Sequence, residues 1–442
     1  MENVLLYILG ILVVVVGLAV SIGLHEIGHL LPAKLFGVRV SQYMIGFGPT
    51  IFSRKRGETE YGVKAIPLGG YIAMAGMYPP GKANDKGRTA TTGMFQALVQ
   101  DARTASADTL VDVDESRAFY KLPVLKRVVI MLGGPVMNLL IAVVMFAILF
   151  MGFGVAQTST TIGSVSECVL AATSERQTCE STDPEAPGFA AGLLPGDRFV
   201  AMDGNPVASW AEATDYIRAA AGKELTIVVE RDGAEVTLVA EPLLTERYVY
   251  DDRGQIVEDA DGVAQTENYG FLGIGAASEI VRQPATAVLP AVGENVVAVT
   301  HVILNLPQRM IDVVNAAFGP DERDPNGPIS VVGVGRIAGE ITSLESTPVA
   351  SRVASLVGLI GSLNVALFVF NLVPLMPLDG GHVAGALYEG IRRFFAKLFG
   401  RPDPGPVDTA KIIPLTLVVV VLLGAMSAIL IYADIVKPIS IF

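Results

Sequence analysis

The chain has 442 residues, of which 51% are hydrophobic and 17% are charged, and its mean hydropathy is +0.51. This composition is too apolar for an ordinary soluble protein, so we expect membrane helices joined to polar domains. The formal net charge of -12 argues against nucleic acid as a partner, because nucleic-acid binding requires a basic surface.

The first segment, residues 1–37, is predicted to be a membrane helix. No charged side chain occurs from Val4 to Leu24, and about 20 apolar residues are enough to cross a bilayer. No Lys or Arg precedes the run, so it lacks the basic start of a signal peptide and is expected to remain as an anchor with its N-terminus outside. The basic residues that follow, from Arg39 to Arg127, predict that the next region is cytoplasmic.

A His-Glu-Ile-Gly-His sequence lies at the inner end of this helix. His25 and His29 are one helical turn apart on the same face, which is the spacing of two zinc ligands, and Glu26 has the position of a general base. The alternative is an accidental match whose histidines face solvent. Ionisable groups are costly at membrane depth, so we favour the functional interpretation.

Three further segments follow the first helix, and we assign them to the membrane and its inner face. Residues 38–76 have β character with a turn near Gly57, and predict a hairpin or small sheet against the inner face. Residues 77–123 form a polar, cytoplasmic insert. Residues 124–154 predict a second crossing, which Gly133, Gly134 and Pro135 are expected to interrupt.

A soluble domain is expected at residues 159–243. Ala190 to Asp197 ends in Gly-x-x-Pro-Gly-Asp and leads into a strand with an Asp-Gly turn. This stretch resembles a PDZ domain, an α+β fold, and the alternative is a generic small β domain that shares the turns. Residues 244–283 read as an acidic loop and strand region. Residues 284–350 predict an amphipathic helical region on the outer membrane surface, in which His301 is an ordinary interfacial side chain.

The third crossing is predicted at residues 352–382 and the fourth at 412–433, joined by a basic loop on the inner side. The predicted fold is therefore a polytopic α-helical membrane protein with four transmembrane helices, a cytoplasmic-side β-hairpin sheet and an inserted extracytoplasmic PDZ domain.

A catalytic zinc ion takes three protein ligands, and His25 and His29 supply two. Asp379 is the preferred third ligand, because Pro374 and Pro377 break the helix before it and the charge pattern brings it to the depth of the histidines. His382 is the alternative ligand, and Asp379-Gly380 as a simple turn is the structural alternative.

These motifs together resemble the site-2 proteases, the zinc intramembrane metalloproteases, in their bacterial RseP-type branch with a PDZ domain. The His-Glu-x-x-His of that family matches His25 to His29, its Leu-Asp-Gly matches Leu378 to Gly380, and its Asn-x-x-Pro-x-x-Pro run matches Asn371 to Pro377. The resemblance implies Zn²⁺ as cofactor and cleavage of transmembrane segments. One PDZ domain is recognisable here, whereas some relatives have two.

Cleavage of a transmembrane helix requires that its backbone be unwound and paired elsewhere. An edge strand of the enzyme can do this by β-augmentation, and the hairpin around Gly69, Gly70 and Tyr71 is the candidate strand. Asn364 and Asn371 are candidates for holding the unwound backbone, with helix-to-helix polar contact as the alternative for both.

The resemblance implies that the partners are transmembrane proteins such as an anti-sigma factor already cut by another protease, and possible clearance of signal-peptide remnants, in a bacterial cytoplasmic membrane. The external domain would bind a trimmed substrate end or exclude large ectodomains. Cys168 and Cys179 could form one disulfide or remain free. Rival functions are a PDZ scaffold with a non-catalytic zinc site, and a metal or ion transporter. The oligomeric state is not predicted.

Overall fold

We describe the protein from a computed structural model of the chain. The described residues are 2–79, 94–110, 114–170, 176, 178–249, 256–257, 264–320 and 322–439. They form two units, which we call the membrane unit (Met1–Phe153 with Pro284–Phe442) and the inserted unit (Gly154–Gln283). Each is treated separately below.

The elements follow one another in three blocks. The first block of the membrane unit contains α1 (Glu2–Leu35), β1 (Val40–Arg56), β2 (Thr59–Met74), α2 (Met94–Asp108) and α3 (Val124–Ala147), which a π-helical turn extends to Phe153. The inserted unit contains β3 (Val155–Val165), α4 (Pro187–Ala190), β4 (Arg198–Met202), β5 (Asn205–Pro206), α5 (Trp210–Ala219), β6 (Leu225–Arg231), β7 (Ala234–Ala240), β8 (Leu243–Tyr248), β9 (Thr266–Phe271) and β10 (Ile274–Val281). The second block contains α6 (Val288–Leu304), α7 (Leu306–Phe318), α8 (Val331–Ser343), α9 (Val349–Asn371), α10 (Asp379–Leu398) and α11 (Ile413–Val436).

Five helical segments among the described residues are long and apolar enough to cross a membrane. They are Asn3–Leu35, Val124–Phe153, Ala285–Leu304, Val349–Asn371 and Thr409–Val436. Four coincide with the predicted crossings. The fifth, Ala285–Leu304, is the segment that we expected on the membrane surface, and length and composition alone do not choose between crossing and lying flat. The count of four therefore stays a prediction.

Helices α1 and α3 approach each other so closely that glycine is required on both. A β-carbon on Gly28 would lie 2.2 Å from the carbonyl oxygen of Gly133, and one on Gly133 would lie 2.0 Å from the carbonyl oxygen of Gly28. Small residues permit such close helix packing in a membrane. The expectation that Gly133, Gly134 and Pro135 interrupt the helix was wrong, because α3 is continuous through them. The glycines serve the packing of α1 instead.

The predicted third segment, residues 352–382, contains the end of one helix and the start of another. Helix α9 ends at Asn371, the loop 372–378 follows, and Asp379 begins a separate helix, α10. Pro374 and Pro377 explain the break, since proline lacks the backbone donor that a continuing helix needs. The connection to the last span, which we expected to be an inner loop, is largely this helix of 20 residues.

The predicted hairpin is present as β1 and β2, joined by a turn at Gly57. The two long strands bend, so that Met44 of β1 pairs with Tyr71 and also with Gly62. Tyr43 fastens the sheet to α1, because its hydroxyl donates a hydrogen bond of 2.7 Å to the carbonyl of Gly23. The sheet therefore lies against the part of α1 that carries the histidines.

The inserted unit is built on a sheet in the order β10-β3-β4-β6-β7, with β5 beside β4 and a separate β8-β9 ribbon. Asp232 and Gly233 both have positive φ, as the tight turn between β6 and β7 requires. Ser209 caps α5 by accepting a hydrogen bond from the Glu212 amide. The core is a single apolar cluster that includes Ile162, Phe199, Met202, Leu225, Ile227 and Leu272.

Two other sequence expectations can be compared with this structure. The insert at 77–123 contains α2, while its residues 80–93 and 111–113 lie outside the described part of the chain. Cys168 and Cys179, for which both states were open, form a disulfide with a Cα–Cα distance of 5.8 Å. The predicted functions of the individual domains, and the boundaries between them, remain predictions.

Candidate metal centre

The two histidines of α1 present their Nε2 atoms to one point. The Nε2 atoms of His25 and His29 are 3.2 Å apart, and the ring centroids are 4.8 Å apart. His29 Nδ1 donates a hydrogen bond of 2.7 Å to the carbonyl oxygen of Ile130 on α3. Because one ring nitrogen carries the proton in a neutral imidazole, Nε2 of His29 keeps a lone pair for a metal ion.

Asp379 reaches the same point from the first residue of α10. Its Oδ2 atom lies 3.3 Å from Nε2 of His25 and 3.3 Å from Nε2 of His29. The adjacent glycines let the loop 372–378 fold back over the helix start, since a β-carbon on Gly380 would lie 2.4 Å from the Leu372 carbonyl oxygen. A β-carbon on Gly381 would lie 2.6 Å from the Met376 nitrogen. The loop thereby fixes the position of Asp379.

The three atoms fit a zinc ion. Zinc bonds to nitrogen and oxygen of about 2.0–2.1 Å in tetrahedral geometry place two ligand atoms about 3.3–3.4 Å apart, and the observed separations are 3.2 and 3.3 Å. Asp379 Oδ2 is also buried without a hydrogen-bond donor among the described residues. A cation is the partner that satisfies a buried carboxylate facing two lone pairs. The described residues contain this one group of ligand type and spacing.

Glu26 lies beside the cluster and is 7% exposed. Its carboxylate interacts electrostatically with His25, His29 and Asp379. Strand β2 passes directly over it, because a β-carbon on Gly70 would lie 3.0 Å from Glu26 Cγ. Glu26 is thus next to the metal position and next to the strand that we expect to hold a substrate backbone.

Two residues of α3 that were not predicted to belong to the site also touch the histidines. A β-carbon on Gly134 would lie 2.2 Å from His29 Nε2. The Asn138 amide nitrogen lies 3.1 Å from His25 Nδ1, while its Oδ1 is buried without a partner among the described residues. If the Asn138 side-chain amide is rotated by about 180°, its Oδ1 accepts a hydrogen bond from His25 Nδ1, and His25 Nε2 is left free to bind the metal. A polar residue in an apolar span was the available signal.

Helix α10 is held on α3 by a buried ion pair. Arg127 of α3 donates to Glu389 of α10 at 2.5 Å, and Glu389 is fully buried. The second carboxylate oxygen of Glu389 accepts a hydrogen bond of 2.9 Å from the Val407 amide. Helix α3 therefore contacts both histidines and the helix that begins with Asp379, so it relates the three candidate ligands to one another.

The other predicted site residues lie in different places. His382 does not belong to the three-residue cluster. Gly69 has a positive φ and packs on Phe47, and the Tyr71 hydroxyl donates to Gln42 Oε1 at 3.2 Å. Among the described residues, no third strand pairs with this sheet, so the part of β2 beside Glu26 has one edge without a strand partner.

The two asparagines of α9 differ from each other. Asn364 is 1% exposed and donates a hydrogen bond of 2.9 Å to the Ser21 hydroxyl of α1. This contact favours the helix-to-helix alternative for Asn364. Asn371 is the last residue of α9, half-buried, at the start of the loop that leads to Asp379. It remains a candidate for contact with a substrate.

The chain matches the family model of peptidase family M50 over residues 13–400. It belongs to this family, the site-2 proteases. The chain is 33% identical to zinc metalloprotease Rip1 of Mycobacterium tuberculosis, in an alignment that covers 99% of this chain and all of the relative. It is 31% identical to zinc metalloprotease Rip1 of Mycolicibacterium smegmatis, over 98% of this chain and 99% of the relative. It is 29% identical to metalloprotease MmpA of Caulobacter vibrioides, over 85% of each chain.

Membership in family M50 confirms the resemblance that the sequence motifs indicated. The M50 protein is a zinc metalloprotease and a membrane protein, with membrane proteins as its substrates. The family match does not by itself assign roles to individual residues, and the geometry above is the basis for those roles.

Proposed function

We propose that this M50 protease hydrolyses peptide bonds within transmembrane segments, with His25, His29 and Asp379 as zinc ligands and Glu26 as general base. The observation that carries this proposal is the convergence of Nε2, Nε2 and Oδ2 at 3.2–3.3 Å separations, with Glu26 alongside. When bound, zinc supplies a Lewis acid and lowers the pKa of water toward neutrality.

The side chains of the chain perform the remaining steps. Glu26 accepts the proton of the attacking water and then delivers it to the leaving amine. Asn138 and the carbonyl of Ile130 hold the imidazoles in the orientation that directs both Nε2 atoms inward. Since Glu26 is not itself a ligand, loss of its carboxylate should spare zinc binding.

The edge of β2 at Gly69, Gly70 and Tyr71 would receive the unwound substrate as an added strand. Its support is the contact between Gly70 and Glu26, which places main-chain donors and acceptors next to the general base. The substrate backbone would exchange its helical hydrogen bonds for strand hydrogen bonds there. Asn371 would hold the segment that follows.

The proposed setting is a bacterial cytoplasmic membrane with the metal centre toward the cytoplasm and the inserted unit outside. The basic residues between α1 and α3 support this orientation. The Cys168–Cys179 disulfide supports an oxidising environment for the inserted unit. The inserted unit would act as a PDZ domain, and an anti-sigma factor first cut by another protease is the proposed substrate type.

The substitution Glu26→Gln tests the proposal. The purified full chain would be reconstituted in vesicles with a reporter transmembrane substrate, and cleavage and zinc content would both be measured. We expect turnover to fall by about 10²–10⁴-fold with one zinc ion per chain retained. Glu294→Gln removes an exposed carboxylate of α6 and serves as the control. Undiminished cleavage by Glu26→Gln would exclude Glu26 as the base.

A further inference from the structure

Helix α10 carries a row of large apolar side chains that nothing in the described structure covers. The row repeats at helical spacing along one face, and its members are between 49% and 65% exposed. They are Leu387, Tyr388, Ile391, Phe394, Phe395 and Leu398. The opposite face packs on α3 through the buried Glu389. An exposed apolar patch that is this rich in aromatic residues indicates a binding surface.

Basic residues accompany this row without acidic partners. The acidic side chains of the region are already paired, Glu389 with Arg127 and Arg393, Asp403 with Arg393, and Asp408 with Arg103. The ion pairs of this region among the described residues do not include Arg392, Lys397 or Arg401. The Arg392 guanidinium lies 5.9 Å from the Tyr388 ring, so it flanks the apolar row. The row therefore has a positively charged border.

Both ends of α10 are tied to the membrane. The loop 372–378 connects its first residue to the end of the span Val349–Asn371, and residues 399–408 connect its last residue to the span Thr409–Val436. Short connections to two spans keep the helix near one membrane surface. A helix with an aromatic apolar face and basic flanks lies in such an interface.

We propose that α10 is an interfacial helix that binds anionic phospholipid of the leaflet on the Asp379 side. Its apolar row lies among the upper acyl chains, and Arg392, Lys397 and Arg401 contact the negatively charged headgroups. Because α10 begins at Asp379, the lipid contact would also steady the third candidate ligand. This last consequence rests on the proposed function, whereas the lipid contact does not.

A single-tryptophan probe measures the depth of the helix. The chain has one tryptophan, Trp210, in the inserted unit, so Trp210→Phe combined with Phe394→Trp leaves one reporter on the apolar row. The full chain would be reconstituted in phosphatidylcholine vesicles whose acyl chains are brominated. We expect strong quenching by bromine and protection from aqueous iodide. Iodide quenching without bromine quenching would overturn the proposal.

Lipid competition measures the charge selectivity. Brominated phosphatidylglycerol would compete with unlabelled phosphatidylcholine around the reporter. We expect a preference for phosphatidylglycerol of at least about fivefold, which is the effect of a single basic residue near an anionic surface. The triple substitution Arg392→Gln, Lys397→Gln and Arg401→Gln should reduce this preference to about 1. The charge-conserving control is Arg392→Lys, Lys397→Arg and Arg401→Lys, which should keep it. An unchanged preference in the glutamine variant would overturn the headgroup assignment.

The competing occupant is a second copy of the chain. Both native cysteines are disulfide-bonded, so Phe394→Cys introduces one free thiol on the row. We expect no efficient cross-link between copies at low protein-to-lipid ratio, and efficient cross-linking would overturn the lipid assignment. All three measurements are made in the Glu26→Gln background. Their outcome therefore does not depend on whether the proposed hydrolysis is correct.

Discussion

Gly134 and Asn138 lie four residues apart on α3. A β-carbon on Gly134 would meet both histidines, and the Asn138 amide contacts His25. Neither has a ligand atom in the cluster, yet together they define the space and the orientation available to the imidazoles. Residues around metal ligands affect metal affinity through such contacts. Their effects can be measured separately from catalysis, by zinc binding alone.

The substitution Gly134→Ala is expected to weaken zinc binding by at least about tenfold. The added methyl group would lie 2.2 Å from His29 Nε2, so the imidazole must move away from the metal position. Gly152→Ala is the matched control on the π-helical extension of α3, where a β-carbon meets nothing within 4 Å. Zinc affinity would be measured by chelator competition. Equal affinities in the two variants would contradict the prediction.

The substitution Asn138→Ala should lower zinc affinity by about 10–100-fold, because His25 loses the partner that fixes its ring. Asn364→Ala is the control, since both asparagines are 1% exposed and lie in membrane helices. Asn364 bonds Ser21 and not a histidine. A loss of affinity in both variants would indicate a general packing effect.

The turn before β4 shows, at the scale of single elements, how the inserted unit is held together. Asp197 accepts hydrogen bonds from Arg231 of β6 at 2.7 Å and from the Leu194 amide at 2.9 Å. Arg231 also donates to the Gly192 carbonyl. The Gly-x-x-Pro-Gly-Asp stretch is therefore closed by an arginine more than 30 residues later in the chain, which joins the turn to the sheet.

This contact makes the inserted unit sensitive to acid. The hydrogen bonds from Arg231 hold the pKa of Asp197 below its usual value, so the ionised carboxylate stabilises the fold above about pH 4. The stabilisation is lost as the pH falls from there through the lowered pKa. Asp197→Asn should reduce the free energy of unfolding at pH 7 by about 2 kcal/mol and remove this acid dependence.

Fluorescence of Trp210 in the full chain reports this unfolding, since its ring lies 5.6 Å from that of Phe199, a core residue of the inserted unit. Asp215→Asn on the exposed face of α5 is the control. If the two variants unfold at the same temperature at pH 7, the Asp197–Arg231 contact does not stabilise the unit.

The molecule separates into a membrane unit and an inserted unit, and all candidate catalytic groups found among the described residues lie in the membrane unit. The inserted unit begins and ends side by side, because Val155 of β3 pairs with Val281 of β10. This arrangement allows residues 154–283 to be replaced by a short linker. Substrate selection and chemistry can thus be tested independently.

Excision of residues 154–283 should leave one zinc ion per chain and preserve cleavage of a reporter with a very short ectodomain. The reason is that His25, Glu26, His29 and Asp379 all belong to the membrane unit. If the inserted unit excludes large ectodomains, the excised protein will also cleave reporters with a large one. If the unit binds trimmed ends, cleavage of pre-cut substrates will fall. Loss of zinc would contradict the prediction.

The local patterns of the sequence were enough to predict much of this protein. Some features depend only on neighbouring residues, so they can be predicted without knowing the rest of the chain. They are an apolar run long enough to cross a bilayer, two histidines one turn apart and an Asp-Gly turn. The motifs from His25 to His29 and from Asn371 to Gly380 indicated a family resemblance, and the family match over residues 13–400 confirmed it. The number of crossings depends on a balance that composition alone does not decide, because α6 is apolar enough for either position.

Only the tertiary structure showed the contacts between residues that are distant in the sequence. The contacts of Gly134 and Asn138 with the histidines, and the Arg127–Glu389 pair, join residues that are far apart in sequence. These contacts depend on how the helices are oriented relative to one another, and local sequence patterns do not determine that orientation. Residue types and spacing therefore determined which chemistry the chain can perform, while close packing of α1, α3 and α10 decided where its reacting groups converge.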